Sequence, residues 1–247
     1  MFKNIIQFRA SKEYINSNKE YLPVPCKSNI PQWYKNLSHD EVNLTVKGCM
    51  PFLDTLTTGY ILKMPVDYLI GHNLEINGEK KTGVRTSIKF KNDLANCINL
   101  NYDGNAEYHA CSQVAGSPLL EKNKNLPIHK ILNPWIIKTP PGYSTLFLPP
   151  LNNSDDRFSI IPGIVETDSF KNEINFPFVV NGDKYPVIET TIKIGTPYVQ
   201  LIPFKRENWK MEIVEEDENK LKENSLFSHY HLLNNYKKLF WRKKTWR

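Results

Sequence analysis

The feature that most constrains this chain is a proline-rich, strand-forming stretch from Asn133 to Arg206. Ten of the 17 prolines fall between Pro134 and Pro203. They interleave with the runs WIIKT, YSTLFL, FSIIPGIVET, INFPFVV, PVIETTIKI and YVQLIPF. Proline fixes φ and removes an N–H, so no helix of useful length fits among them. The runs are instead rich in β-branched and aromatic residues, which pack well on a pleated surface. Short strands spaced by turn residues predict an antiparallel barrel or sandwich, and the absence of intervening helical segments excludes a parallel α/β sheet. The expected class is therefore mainly β with minor α.

The flanking stretches are less regular. Residues 1–47 read as a lead-in with a first strand in FKNIIQF and one helical turn in IPQWYKNL, where Trp33 and Tyr34 anchor a loop and Pro31 suits a first helical position. GCMPFLDTLTTG predicts a short helix ending at Gly59, with Phe52, Leu53 and Leu56 on one face. YILKMPVDYLIGH reads as a strand interrupted at Pro65. Asn77-Gly78 signals a hairpin between Leu74/Ile76 and Val84/Ile88/Phe90. Residues 91–130 carry weak periodicity and predict loops with one short helix. Residues 1–210 are expected to form a single β-rich domain, made of the lead-in 1–47, the hairpin and loops 48–130, and the core 131–210. A lone hairpin is too small a sheet to stand apart. In 211–247 a charged linker leads to a basic aromatic helix, with Ser225 as its N-cap.

Charge is unevenly placed. The formal net charge is +6, yet residues 1–236 carry 26 basic and 26 acidic side chains. The whole excess comes from Lys237, Lys238, Arg242, Lys243, Lys244 and Arg247, and no acidic residue follows Glu223. Tyr236, Phe240, Trp241 and Trp246 interleave with these cations. Such a run suits an acidic protein partner or a membrane surface, and it also suits nucleic acid, because cations neutralise phosphates and rings stack on bases. The partner-binding residues are thus expected among Lys237, Lys238, Trp241, Arg242, Lys243, Lys244 and Trp246. The 26 asparagines, with many lysines and isoleucines, reflect AT-rich coding and carry no mechanism.

Several chemistries find no motif. The four cysteines lack paired spacing, and CxxC and HExxH are absent, so no metal site is expected. A P-loop, a dinucleotide fingerprint and a nucleophile elbow are also missing. Cys49 and Cys111 are candidate reactive thiols only in a suitable electropositive setting. His72, His109 and His129 could join a carboxylate in a facial triad for iron or zinc only if folding brought them together. No apolar run is long enough to span a membrane, and MFKNIIQFRASKEY has no signal core.

Two resemblances add to this reading. PPGYSTLFLPP, PGIVETDSFKNEINFPFVV and IKIGTPYVQLIPF resemble, in order and spacing, the β-clip barrel of the dUTPase and dCTP deaminase superfamily. Gly163, Ile164, Val165, Glu166, Thr167, Asp168 and Glu173 follow part of that superfamily's Gly-(Val/Ile)-Ile-Asp-x-Asp-Tyr-Arg-Gly-Glu motif. Gly195, Gln200 and Leu201 follow its Gly-x-x-x-x-Gln-Leu motif. The resemblance implies Glu166 or Asp168 as general base or magnesium ligand, Gln200 near the base or sugar, and Lys205 or Arg206 for phosphates. The chain departs from it at three points. Glu166 is one methylene longer than the water-activating aspartate, the Pro-Arg-Ser-Gly phosphate motif is missing, and the Gly-rich closing arm is replaced by the basic run. From about residue 20 to its C-terminus the chain also resembles a family of tailed phages of marine bacteria and of some bacteria. IPQWYKNL, CMPFLDTLTTGYIL, PWIIKTPPGYSTLFLPPLN, INFPFVV and GTPYVQLIPFKR followed by Trp209 carry that likeness, which brings no activity with it.

The first expectation is a non-enzymatic β-rich binding or assembly protein, phage-encoded and cytoplasmic in the host. Its basic run would serve a protein partner or self-association, with nucleic acid as the other candidate. The alternative is a nucleotide-binding or nucleotide-hydrolysing protein of dUTPase-like fold, with magnesium as cofactor. The second alternative is a metal-dependent enzyme on a β-barrel.

Overall fold

The computed structural model describes residues 4–17, 19–72, 74–76, 79–81, 85–89, 108–123, 127–229 and 235–247. The chain forms two compact units: Met1–Val24 with Gly59–Lys205, and Pro25–Thr58 with Arg206–Arg247. Residues 25–58 thus group with 206–247 rather than with the β-rich body.

The strands are short. β1 (Gln7–Arg9), β2 (Val24–Pro25), β3 (Tyr60–Lys63), β4 (Asp67–His72), β5 (Leu74–Ile76), β6 (Glu79–Lys81) and β7 (Arg85–Lys89) come first. They are followed by β8 (Tyr108–His109), β9 (Ile128–Ile131), β10 (Ile136–Lys138), β11 (Tyr143–Leu148) and β12 (Phe158–Ile160). β13 (Gly163–Val165), β14 (Phe176–Val180), β15 (Ile188–Ile192) and β16 (Pro197–Lys205) complete the set. The helices are α1 (Lys12–Ser17), α2 (Gln32–Asn36), α3 (Met50–Thr57), α4 (Pro118–Lys122), α5 (Glu218–His229) and α6 (Asn235–Leu239). The fold is mainly β with few helices, as the proline spacing implies.

A five-stranded sheet runs β13-β11-β16-β3-β2, a four-stranded sheet β12-β14-β9-β8, and a three-stranded sheet β15-β4-β7. β1 pairs antiparallel with β10, and β5 with β6. β16 is central: Tyr198, Val199, Gln200 and Leu201 are all buried, the continuous pattern of a strand covered on both faces. It pairs antiparallel with β11 from Tyr143↔Lys205 to Leu148↔Gln200, and with β3 from Pro197 to Leu201. Pro203 lies beyond the β3 ladder, where β16 is flanked only by β11 and a missing N–H costs little.

Prolines also explain where expectation and structure differ. Pro65 does not indent one strand. It separates β3 from β4, which belong to different sheets. The hairpin closes with Ile76 opposite Glu79, its Asn77-Gly78 turn lying outside the described residues. β7 pairs with β4 instead, Ile88 standing opposite Tyr68. Pro31 flanks α2 in extended conformation and does not enter it.

The core of the first unit is aromatic. Phe147 packs on Phe176 at 5.3 Å between ring centroids, and Phe176 on Tyr198 at 5.7 Å. The lead-in is part of this core: Tyr14 and Tyr21 are buried, Tyr14 edge-on to Trp135 at 5.3 Å. Gly59 follows α3 with φ 78°, and a Cβ there would lie 2.1 Å from the Leu201 carbonyl oxygen. Only glycine fits so close an approach at that φ.

In the second unit Tyr34 stacks on Phe52 at 5.9 Å, and Trp33 meets the same ring at 6.0 Å. Helix α5 begins at Glu218, within the charged stretch, so Ser225 lies inside it and is no N-cap. The basic run is helical only through α6, and Trp241–Arg247 follow without regular structure.

Candidate functional site

Glu166 and Asp168 sit in the turn that follows β13. The backbone N–H groups of Ser169 and Phe170 both donate to the Glu166 carbonyl, at 3.0 and 2.8 Å, which closes the turn. Beneath it lie three buried threonines. Thr167 Oγ1 is 2.7 Å from Thr139 Oγ1 and 2.8 Å from Thr145 Oγ1. Thr139 Oγ1 donates to the Tyr143 carbonyl at 3.2 Å. Each hydroxyl has one proton, so the chain of donation runs Thr145 to Thr167 to Thr139 to the carbonyl.

The two carboxylates serve this turn. Asp168 Oδ2 accepts the Gly142 N–H at 2.8 Å, and Lys138 donates to the Asp168 carbonyl. Glu166, itself exposed, accepts the Ser144 hydroxyl on Oε2 at 3.0 Å. Each carboxylate therefore has at least one oxygen engaged in tying β13 back to the start of β11. The sequence alone assigns no role to Gly142, Ser144, Thr139 or Thr145 and marks Thr167 only as a motif position, because each is an ordinary strand or turn residue until the register aligns them.

Gln200 is 2% exposed, and its Oε1 accepts the Leu151 N–H at 2.8 Å, pinning the loop after β11. Lys205 is exposed at the far end of the same ladder, opposite Tyr143. Five residue steps along the strand separate the two, about 17 Å. Arg206 belongs to the second unit, as the first residue of its later segment. Of the five nucleotide candidates, Glu166, Asp168 and Lys205 lie toward the Tyr143 end of β11, and Gln200 lies at the other.

The histidines are spread out. Tyr108 is opposite His129 and His109 opposite Ile128, so His109 and His129 project to opposite faces of the β8–β9 ladder. His109 Nδ1 lies 2.8 Å from Gln113 Oε1. Burial holds the His129 imidazole below the usual histidine pKa. His72 is on β4, in a different sheet. Among the described residues no three His, Cys, Asp or Glu side chains cluster as a metal site would require. Cys26 is buried, which pushes its thiol up to about 12, whereas Cys49 is exposed and Cys111 half-buried. Cys97 lies outside the described residues.

The basic run shows a different arrangement. Trp241 Nε1 donates to both oxygens of Asp54 on α3, at 3.1 and 3.2 Å. Lys244 Nζ reaches Asp54 Oδ2 at 2.5 Å and lies 5.9 Å from the Trp241 ring centroid. Trp246 is half-buried. Lys237, Lys238, Arg242 and Lys243 are exposed, as are Tyr236 and Phe240, whose rings meet at 6.0 Å. Two of the expected partner-binding residues, Trp241 and Lys244, thus hold the run in place, and four others face solvent. Asp54 escaped the sequence reading because nothing local marks it as an acceptor for residues nearly two hundred positions away.

No protein-family model and no curated protein matches the chain. Among solved structures it is similar to a mutant dUTPase of Staphylococcus bacteriophage 80alpha with dUpNHpp, at a TM-score of 0.35 and 10% identity. The match covers 87% of this chain and 90% of that one. A likeness of that degree assigns no residue a role.

Proposed function

We propose that this is a non-enzymatic binding protein whose basic aromatic run recognises an acidic protein partner. The observation that supports it is the division of labour within the run. Trp241 and Lys244 are spent on Asp54, while Lys237, Lys238, Arg242 and Lys243 are exposed in the same run as the exposed rings of Tyr236 and Phe240. A surface anchored at one side and cationic at the other is preorganised, so binding costs less conformational entropy than ordering a free tail. Cations steer an acidic partner, and the rings supply apolar area at the centre of the contact. The resemblance of PWIIKTPPGYSTLFLPPLN and GTPYVQLIPFKR to phage proteins supports a phage-encoded chain working in the host cytoplasm. No described helix is long and apolar enough to cross a membrane.

Fluorescence anisotropy of a labelled Glu-rich peptide with the full chain tests this reading. Binding is expected to weaken with added salt and to fall at least about tenfold when Lys237, Lys238, Arg242 and Lys243 are all changed to Ala. Oligothymidine is the second arm. If it binds through the same four residues and the peptide does not, the surface is for nucleic acid and the proposal fails.

A nucleotide reading has one observation in its favour, the presence of Glu166 and Lys205 toward one end of the β11 ladder. It requires a thermal shift with a deoxynucleoside triphosphate and magnesium. A ligand at a hundred times its dissociation constant adds about 2.7 kcal/mol, so a flat panel retires it.

A further inference from the structure

Between β16 and α5 the chain is in neither helix nor strand, and every residue from Arg206 to Asp217 is exposed. Trp209, Met211, Ile213 and Val214 are 88, 84, 89 and 77% exposed. Four large apolar side chains exposed within six residues are of the kind that marks an interface. Trp209, Met211 and Ile213 alternate with Lys210 and Glu212, which is the period-two pattern of a strand with one apolar face. Among the described residues no strand pairs with this one.

We propose that the segment pairs antiparallel with the same segment of a second copy, centred on Met211, so that the chain forms a twofold dimer. The charge pattern selects both the occupant and the register. With Met211 on the axis, Lys210 stands opposite the partner's Glu212, and Glu212 opposite the partner's Lys210. Trp209 faces the partner's Ile213, and Ile213 the partner's Trp209. This is the reciprocal contact that a twofold interface demands. It places three apolar side chains from each copy on one face and two opposite-charge pairs on the other, both stabilising cross-strand arrangements.

Neighbouring registers are worse. Centring on Lys210 sets two lysines face to face, and centring on Glu212 sets two glutamates face to face. A slip of one residue turns every apolar side chain to the opposite face of its neighbour. A parallel, in-register pair opposes Lys210 to its own copy. Only the ends of the Met211-centred ribbon carry a like-charge pair, Glu207 opposite the partner's Glu215. A two-stranded ribbon is marginal on its own, so a dissociation constant in roughly the micromolar range is expected.

Sedimentation velocity of the full chain, from about 1 to about 300 μM, tests the proposal. The wild-type protein should pass from monomer to dimer over that range. Lys210→Glu should weaken the dimer by about tenfold or more, since it turns both opposite-charge pairs into repulsions. Adding Glu212→Lys to that variant restores the pairs with their signs exchanged and should restore the dimer. Glu215→Lys should tighten it by removing the end repulsion. Circular dichroism establishes that each variant is folded, and the substituted positions are all exposed. As a geometric check, Met211→Cys should form a disulfide-linked dimer on oxidation, while the wild-type chain with its own cysteines does not. A chain that stays monomeric throughout overturns the proposal. So does a dimer that Lys210→Glu leaves intact, or one that the double exchange fails to restore.

Discussion

The turn at Glu166–Phe170 and the run at Tyr236–Arg247 are both dense in polar and charged residues, and they use them in opposite ways. In the turn, donors and acceptors answer one another: Gly142 with Asp168, Ser144 with Glu166, and three threonine hydroxyls in series. In the run, one cation and one indole are fixed on Asp54, and the remaining cations and two rings face water. The difference teaches where to look for function. A buried hydrogen-bonded network stabilises the fold and resists being opened for a substrate, because each broken bond leaves an unsatisfied group. An exposed, anchored surface can exchange water for a partner at little cost to the fold.

Thr167→Val should separate the two regions most sharply. It removes the middle hydroxyl of the buried series, and about 2–3 kcal/mol of stability should be lost in chemical denaturation. Binding of the acidic peptide should not change. Asp168→Ala removes the acceptor for the Gly142 N–H, and a loss of about 1–2 kcal/mol is expected because the site is only half-buried. Smaller still is Asp54→Ala. Its ion pair with Lys244 is half-exposed, so no more than about 1 kcal/mol should be lost. Amide exchange should nevertheless quicken over residues 241–246, since the anchor is gone.

A pH titration draws the same line at lower amplitude. Unfolded His129 takes up a proton near the ordinary value of about 6.5, whereas burial lowers its pKa in the folded chain. Below that ordinary value the unfolded state binds more protons, so stability falls as pH falls. His129→Phe should flatten this dependence. The basic run is separate from His129 in the chain, so the same substitution should leave binding of the acidic peptide unchanged.

Much of the fold was legible in the sequence, and the reasons are local. Proline spacing and β-branched runs located the strands from β10 to β16, and the Asn77-Gly78 signal located the end of β5 but not its partner, which is β6 and not the strand that holds Ile88. What escaped depends on contacts far apart in the chain. Tyr14 and Tyr21 looked like lead-in residues because nothing within their own segment reveals that Trp135 packs against Tyr14. Pro65 looked like a flaw in one strand because sheet membership is decided by partners: β15 and β7 for β4, β16 for β3. Ser225 looked like an N-cap because capping chemistry cannot show that the charged residues before it already continue the helix. At the candidate sites the residue types were readable, but their bonding was not. Glu166, Asp168 and Gln200 match a catalytic motif in part by position, yet their oxygens accept from Ser144, Gly142 and Leu151, all identified only once the register is known.

The most direct test measures stability and peptide binding side by side for two variants of the full chain, Asp168→Ala and the fourfold change of Lys237, Lys238, Arg242 and Lys243 to Ala. The account predicts a double dissociation: Asp168→Ala melts earlier and binds the Glu-rich peptide as wild type does, while the fourfold variant melts as wild type does and no longer binds. If the fourfold variant keeps its binding, or Asp168→Ala abolishes binding without loss of stability, the assignment of these two regions is contradicted.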